Sequence, residues 1–326
     1  MTVKIIRRTR SLFNPEYFQG WGKKRNYFEG WYFKFLNVEE NRAFAVIPGV
    51  AMDSTGKRHS FIQLLDGRKK TASYHKYDFG SFAASAERFL VSIENNHFSE
   101  DSVSLDLPEL KGKLCFSGNV PWPKPWYSPG IMGPYSFVPF MECYHGIVSM
   151  DHSISGKLKH NSDIIDFSGG RGYIEKDWGS SFPEGYIWIQ SNHFREPGIS
   201  IKTSVAKIPW LRSSFVGFIS GIWLGDRLIR FTTYNGSVLR KVRADISGIE
   251  IVIENKNHRL EIMADRDTPT ALASPVGGLM DGRIGESMTS GIEVNLFDLK
   301  EGRSLFAGKG RNAAVEVAGK VEEILI

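Results

Sequence analysis

Glu29-Gly30-Trp31-Tyr32-Phe33-Lys34 in the first half of the chain is echoed by Glu184-Gly185-Tyr186-Ile187-Trp188-Ile189 in the second. Both stretches are short, rich in aromatic and β-branched residues and marked by a glycine near the start, which reads as a β-strand. A second strand-like run follows each and ends in Ile-Pro, at Ile47-Pro48 and Ile208-Pro209. Later, Ser155-Gly156 matches Ser290-Gly291. Phe167-Ser168-Gly169-Gly170-Arg171-Gly172 then matches Phe306-Ala307-Gly308-Lys309-Gly310-Arg311. Four echoes in one order predict a duplicated unit, joined near Gly179–Pro183, that divides the chain into 1–180 and 181–326.

The sequence around the echoes has the same character. Runs such as Ala43–Ile47, Arg88–Glu94, Ile199–Ala206 and Gly248–Glu254 are broken by Gly, Asn, Asp and Pro. The 33 glycines suit bulges and bends in curved sheets. The expected fold is all-β: two tandem antiparallel barrels or strongly curved sandwiches. A length of 326 residues allows two ordinary domains. Helical periodicity is scarce; Pro15–Gly20 and Asp281–Met288 are the places that suggest a helical turn. Six of the 14 prolines lie between Pro121 and Pro139, with Trp122, Trp126, Tyr127, Tyr135, Phe137 and Phe140 close by. Proline cannot donate to a ladder, so this segment is no central strand. It is expected either to cap a barrel mouth or to pack its aromatics on the core.

Charge is unevenly placed. Residues 1–25 carry Lys4, Arg7, Arg8, Arg10, Lys23, Lys24 and Arg25 against Glu16, a balance of +6, and the remainder carries −1 of the total +5. A nucleic-acid binder would spread its basic surface more widely, so none is expected as a partner. The arm reads either as a solvated tail or as a peripheral contact with anionic lipid. Cys115 and Cys143 fit neither a disulfide scaffold nor zinc spacing. With no apolar leader and no run of about 18 apolar residues, the expected location is cytoplasmic, peripheral to membrane if the arm binds lipid.

Familiar cofactor motifs do not match. Gly169-Gly170-Arg171-Gly172 lacks the Lys-Ser/Thr of a P-loop, there is no Gly-x-Ser-x-Gly elbow, and the eight histidines show no metal spacing. Neither a metal nor a cofactor is therefore expected. Three segments remain. Glu29, ahead of the aromatic strand containing Trp31 and Phe33, is placed either at a barrel rim or in a turn or ion pair. In Cys143–His152, alternation puts His145 and Asp151 on one face and Tyr144 on the other. In Tyr173–Pro183, Glu175 and Asp177 face one way and Lys176 the other, with Trp178 alongside. Trp188, Gln190 and Asn192 then share a strand face, an odd core but a suitable wall for an apolar ligand with a few polar atoms.

These segments resemble the tocopherol cyclase family. The likeness rests on Phe28-Glu29-Gly30-Trp31-Tyr32-Phe33-Lys34 and on Glu175-Lys176-Asp177-Trp178-Gly179 with Phe182-Pro183. It continues through Trp188-x-Gln190-x-Asn192-x-Phe194 and Val315-Glu316-Val317. The resemblance implies two lipocalin-like barrels, a fold shared with carotenoid hydratase-like proteins, and chemistry without a redox cofactor. Plant members close the chroman ring of vitamin E from a prenylated quinol; this chain is expected to depart from them in lacking a plastid transit peptide. The expected reaction is protonation of an isoprenoid alkene, with a phenol oxygen or water trapping the cation. Glu175 or Asp177 would be the acid, His145 the base, and Glu29 or Asp151 the reserve acids. Trp31, Trp178 and Trp188 would offer π-faces to the cation. Phe33, Tyr144, Lys176, Gln190 and Asn192 complete the expected substrate contacts. The alternative is a carrier that holds a lipid, quinone or pigment in its cavity without chemistry.

Overall fold

A computed structural model describes residues 2–326, with side chains from residue 6 onward, so the side chain of Lys4 lies outside the described set. The chain forms two compact units. The first runs to Phe182 and includes Ala273–Arg283; the second comprises Pro183–Leu272 and Ile284–Ile326. Ala273–Arg283, which a cut after residue 180 would assign to the second half, thus counts with the first unit. There the Gln63 side chain accepts from the Ala273 N–H at 2.8 Å.

The molecule is nearly all-β, with two antiparallel sheets. The first opens as a meander of β1 (Tyr27–Leu36), β2 (Ala43–Met52), β3 (Arg58–Asp66) and β4 (Thr71–Asp78). Short strands follow: β5 (Phe82–Ala84), β6 (Leu90–Ile93), β7 (Asn96–Ser99), β8 (Ser102–Asp106) and β9 (Leu110–Ser117). The long β10 (Cys143–His160), β11 (Asp163–Asp166) and β12 (Arg171–Gly179) complete it. In space the order is β4-β3-β2-β1-β12-β10-β9-β8-β7-β6-β5, with β11 beside β10. Five strand spacings separate β1 from β7, about 24 Å in a flat sheet. Yet the rings of Phe33 and Phe98 are 5.6 Å apart. The sheet therefore curls over one apolar cluster that includes Trp31, Phe33, Phe35, Ile62, Phe98 and Ile174.

The second sheet repeats the plan. It contains β13 (Gly185–Ser191), β14 (Ile199–Trp210), β15 (Ser213–Leu224), β16 (Leu228–Thr232) and β17 (Val238–Asp245). β18 (Gly248–Glu254), β19 (His258–Ala264), β20 (Thr270–Val276), β21 (Leu279–Asp298) and β22 (Arg303–Gly319) follow. The order is β16-β15-β14-β13-β22-β21-β19-β18-β17, with β20 beside β21. In both sheets the first strand pairs with the last long strand, β1 with β12 and β13 with β22. The aromatic echo is nevertheless one residue out of phase. Trp31 and Phe33 point into the first core, whereas Ile187 and Ile189 point into the second, leaving Tyr186 and Trp188 on the opposite face. A slip of one residue exchanges the faces of a strand.

The helical expectations need correcting. Thr2–Phe13 is an α-helix (α1), Pro15–Gly20 is a non-helical turn, and Asp281–Met288 lies within β21. Residues 2–13 contain no Gly or Pro, and Pro15 stops the helix because the residue before proline disfavours helical backbone. Asn14 Nδ2 donates to the Arg10 carbonyl at 2.8 Å at this end. Far from being a solvated tail, the arm is docked: Arg8 Nε donates to the Trp21 carbonyl at 3.0 Å and the Arg7 guanidinium stacks on the Trp21 ring. No helix among the described residues is long and apolar enough to cross a membrane.

One buried ion pair ties the Pro15–Gly20 turn to the sheet. Lys176 Nζ lies 2.6 Å from Glu29 Oε1, and both side chains are wholly buried. Lys176 also donates to the Pro15 carbonyl at 2.9 Å and to that of Tyr17. Its ammonium stands 4.7 Å from the ring centres of both Trp31 and Trp178. Glu29 accepts the Gln19 N–H at 2.9 Å, the Gly20 N–H at 3.0 Å and the Tyr27 hydroxyl. Burial, the strongest influence, lowers the pKa of Lys176, and Glu29 pulls it back up. A charge so buried persists only with its partners in place. Lys176→Met should therefore cost about 3–5 kcal/mol by leaving Glu29 unpaired, and Lys176→Met/Glu29→Leu should cost less than the single change. Urea denaturation measures these and Glu29→Leu alone; a double loss equal to the sum of the two single losses would mean that the two residues do not act as a pair.

His152 is a second buried titratable group. It packs 4.5 Å from the Phe116 ring, with Nδ1 3.2 Å from Ser149 Oγ. Its room exists because residue 172 is glycine: a Cβ there would stand 2.1 Å from His152 Nε2. Burial pushes its pKa down from 6.5 to about 3. Below pH 6.5 the unfolded chain takes up a proton that the folded chain refuses until about pH 3. Stability should thus fall with pH across that window, by up to about 1.4 kcal/mol per unit from this group. In urea titrations at a series of pH values, His152→Gln should show a shallower dependence; an unchanged slope would assign the acid sensitivity to other groups.

Candidate functional site

Strand β12 lies between β1 and β10 and is buried along most of its length on both faces, so its alternation sorts its side chains into two environments. Ile174, Lys176 and Trp178 face the first unit's apolar cluster. Tyr173, Glu175 and Asp177 face the other way. Register then sets their neighbours: Asp177 lies opposite His145, and Glu175 lies between Ile147 on β10 and Tyr32 on β1. Lys34, itself buried, is opposite Tyr173.

On this second face His145 is placed between two carboxylates. Its Nδ1 is 2.7 Å from Asp177 Oδ1, and its Nε2 is 3.3 Å from Glu175 Oε2. The Tyr173 hydroxyl donates to Glu175 Oε2 at 2.6 Å. Tyr173 is fully buried; burial and the adjacent Glu175 raise its phenol pKa well above 10. Tyr173 therefore acts as a fixed donor to Glu175. Protons held by such a cluster belong to the group as a whole, and removing one redistributes the others. The set groups one imidazole with two carboxylates on a strand face. It also offers one ligand atom from each of His145, Glu175 and Asp177, all within 4.8 Å of one another, a nitrogen-and-carboxylate set of the type that binds zinc or iron.

The structure brings together three of the expected residues: His145, Glu175 and Asp177. Others stand apart. Asp151 is held by Arg171, whose Nε donates to it at 2.9 Å. Two register shifts in β10, between Ile147 and Ser149 and between Ser149 and His152, break the simple alternation assumed for that strand. Glu29 is bound in the ion pair with Lys176. Trp31 and Trp178, expected beside the acids, lie on the opposite face of the sheet, with the ammonium of Lys176 over their rings. Tyr144 stacks on Trp178 at 5.5 Å on that same face. Phe33 is core, next to Phe89 and Phe98.

Trp188, Gln190 and Asn192 are buried in the second unit. There Trp188 lies between Ser204 and Glu316, and Gln190 is opposite Lys202, a lysine with no exposed surface. The Tyr186 hydroxyl donates to Glu316 at 2.8 Å. This unit therefore also has a buried polar face opposite its apolar cluster. Sequence reasoning missed Tyr173, Tyr32 and Lys34 as neighbours of the acids. Tyr173 was within reach, because Tyr173, Glu175 and Asp177 recur at every second position.

A family model described as tocopherol cyclase-like matches residues 119–319. This range contains His145, Tyr173, Glu175 and Asp177 but not Glu29 or Trp31. A chloroplastic tocopherol cyclase of Zea mays is 27% identical over 195 residues, 56% of this chain and 40% of that protein, so the match spans well under half of the maize enzyme. Among solved structures, CghA bound to Sch210972 superimposes with a TM-score of 0.58 at 11% identity, covering 90% of this chain and 88% of its own. A Nitrosomonas europaea protein described as an AttH gives 0.53 at 11% identity, covering 89% and 92%. At such identities the likeness is one of fold.

The geometry predicts how the cluster responds to losing its donor. Tyr173→Phe removes a hydrogen bond to a buried carboxylate and should destabilise the fold by about 1.5–3 kcal/mol. Chemical denaturation measures the loss; an unchanged midpoint would show that Glu175 does not depend on the phenol.

Proposed function

Because the chain belongs to the tocopherol cyclase-like family, we propose that it catalyses proton-initiated addition to an isoprenoid alkene, the substrate being a prenylated quinol or a comparably apolar molecule. The observation that carries this reading is His145 held between Glu175 and Asp177 on a buried strand face. A proton from the cluster adds to one alkene carbon, and the tertiary cation left at the other is trapped by an oxygen. If a phenol oxygen of the substrate traps it, a ring closes and the reaction is an isomerisation. If water traps it, the net reaction is hydration. In either case the oxygen loses a proton, the cluster takes it back, and the balance closes without an oxidant or reductant.

The residues fall into distinct roles. Glu175 and Asp177 supply and recover the proton, and His145 passes it between them. Tyr173 holds Glu175 in position. Trp31, Trp178 and Glu29 support the strand from the other face through Lys176, and Asp151 is occupied with Arg171. In this reading each sheet is rolled about its apolar cluster as a lipocalin-like barrel, a form in which apolar molecules are commonly bound.

The test is turnover of a prenylated quinol in D2O. Wild-type protein should incorporate one solvent deuterium at the protonated alkene carbon of the chroman or hydrated product. Glu175→Gln, Asp177→Asn and His145→Gln keep the approximate shapes but change proton transfer, and at least one should lose about 10²-fold or more in rate. Wild-type rates in all three would place the acid elsewhere. Ligand binding with no deuterium incorporation would favour a carrier. Loss of turnover with a chelator and its return with zinc would reassign the three side chains as ligands.

A further inference from the structure

The Pro-rich segment leading into β10 both buries and exposes aromatic residues. Trp122, Ile131 and Met132 pack inside. Trp126, Tyr127, Phe137 and Phe140 are 79%, 60%, 45% and 51% exposed, far more than large apolar side chains in a folded core. All four present about half or more of their surface to solvent. Trp126 and Tyr127 meet edge to face at 5.6 Å, and Phe137 meets Phe13 of helix α1 at 6.1 Å. The exposed aromatic face thus continues onto the helix, where Phe13 and Ile6 are also exposed.

The adjoining surface is basic. Arg8 and Arg10 are exposed on α1. The turn carrying exposed Lys23, Lys24 and Arg25 is tied to α1 by Arg7 and Arg8 at Trp21. Residues 118–141 contain no Asp or Glu, and Lys124 is their one charged residue. Glu16, the one acid in residues 1–25, is buried and neutralised by Lys124 at 2.6 Å. Exposed Trp and Tyr with phenylalanines, beside a set of exposed cations, form the pattern that enters the headgroup region of a bilayer. We infer that helix α1, the Trp21–Arg25 turn and the Trp126–Phe140 loop form one membrane-docking surface, whose partner is an anionic phospholipid bilayer. The aromatics supply the apolar insertion and the cations supply the preference for negative lipid.

Co-sedimentation of the full chain with vesicles tests this, using phosphatidylcholine alone and phosphatidylcholine mixed with phosphatidylserine. The protein should pellet with the mixed vesicles, less so as salt rises, and weakly with the neutral ones. Lys24→Ala/Arg25→Ala should weaken binding about fivefold for each charge removed. Trp126→Ala/Tyr127→Ala should weaken it by about tenfold or more, with an unchanged melting temperature because both side chains face solvent. Wild-type binding in both variants, or equal binding to neutral vesicles, would overturn the proposal. So would a concentration-dependent dimer that the aromatic double change dissociates without any binding to lipid, which would assign the face to a second copy of the chain.

Discussion

Lys176 keeps its ammonium in the first unit's interior only because a turn of the chain is folded around it. Its Nζ meets the Glu29 carboxylate and the carbonyls of Pro15 and Tyr17, while Glu29 takes the N–H groups of Gln19 and Gly20. A non-helical turn has peptide groups that no sheet or helix satisfies, and here the two opposite charges satisfy them from either side. The aromatic rings of Trp31 and Trp178 complete the enclosure. The pair therefore does more than join β1 to β12. It holds the segment between helix α1 and the sheet, and it fixes which way β12 presents its alternating side chains.

That orientation has a consequence on the opposite face. With Lys176 locked inward, Glu175 and Asp177 must point outward, to the face that meets His145 of β10. A one-residue slip of β12 would bring the two carboxylates into the apolar cluster, where neither could remain charged at acceptable cost. The ion pair and the acidic cluster are thus two sides of one register. Fully paired on one face, the strand carries two carboxylates that meet His145 on the other.

The two units show how little a repeated motif says about side-chain direction. Both sheets join their first strand to their last long strand in the same order. In the first, the aromatic residues after Glu-Gly fill the core; in the second, Ile187 and Ile189 do, and Tyr186 and Trp188 join a face with buried Gln190 and Lys202 and half-buried Glu316. The two sheets share the pairing of their strands while their faces differ. Backbone hydrogen bonds set the pairing and are indifferent to side-chain identity, whereas burial on each face depends on it.

Much was legible in the residues themselves. Short aromatic and β-branched runs punctuated by glycine specify strands, four ordered echoes specify a repeat, and alternation within Tyr173–Asp177 places two carboxylates on one face, because these are local properties of the backbone. The sequence also showed a proline-rich aromatic segment that could not be a central strand. Tertiary structure alone decided that His145 meets Asp177 and Glu175, that Asp151 is taken by Arg171, and that Lys176 closes on Glu29. It alone decided that residues 2–13 form a helix and that Trp126 and Tyr127 stay exposed. Those outcomes depend on register between strands distant in the chain, on bulges in β10 that reset alternation, and on which charges lie near enough to neutralise one another once water is gone.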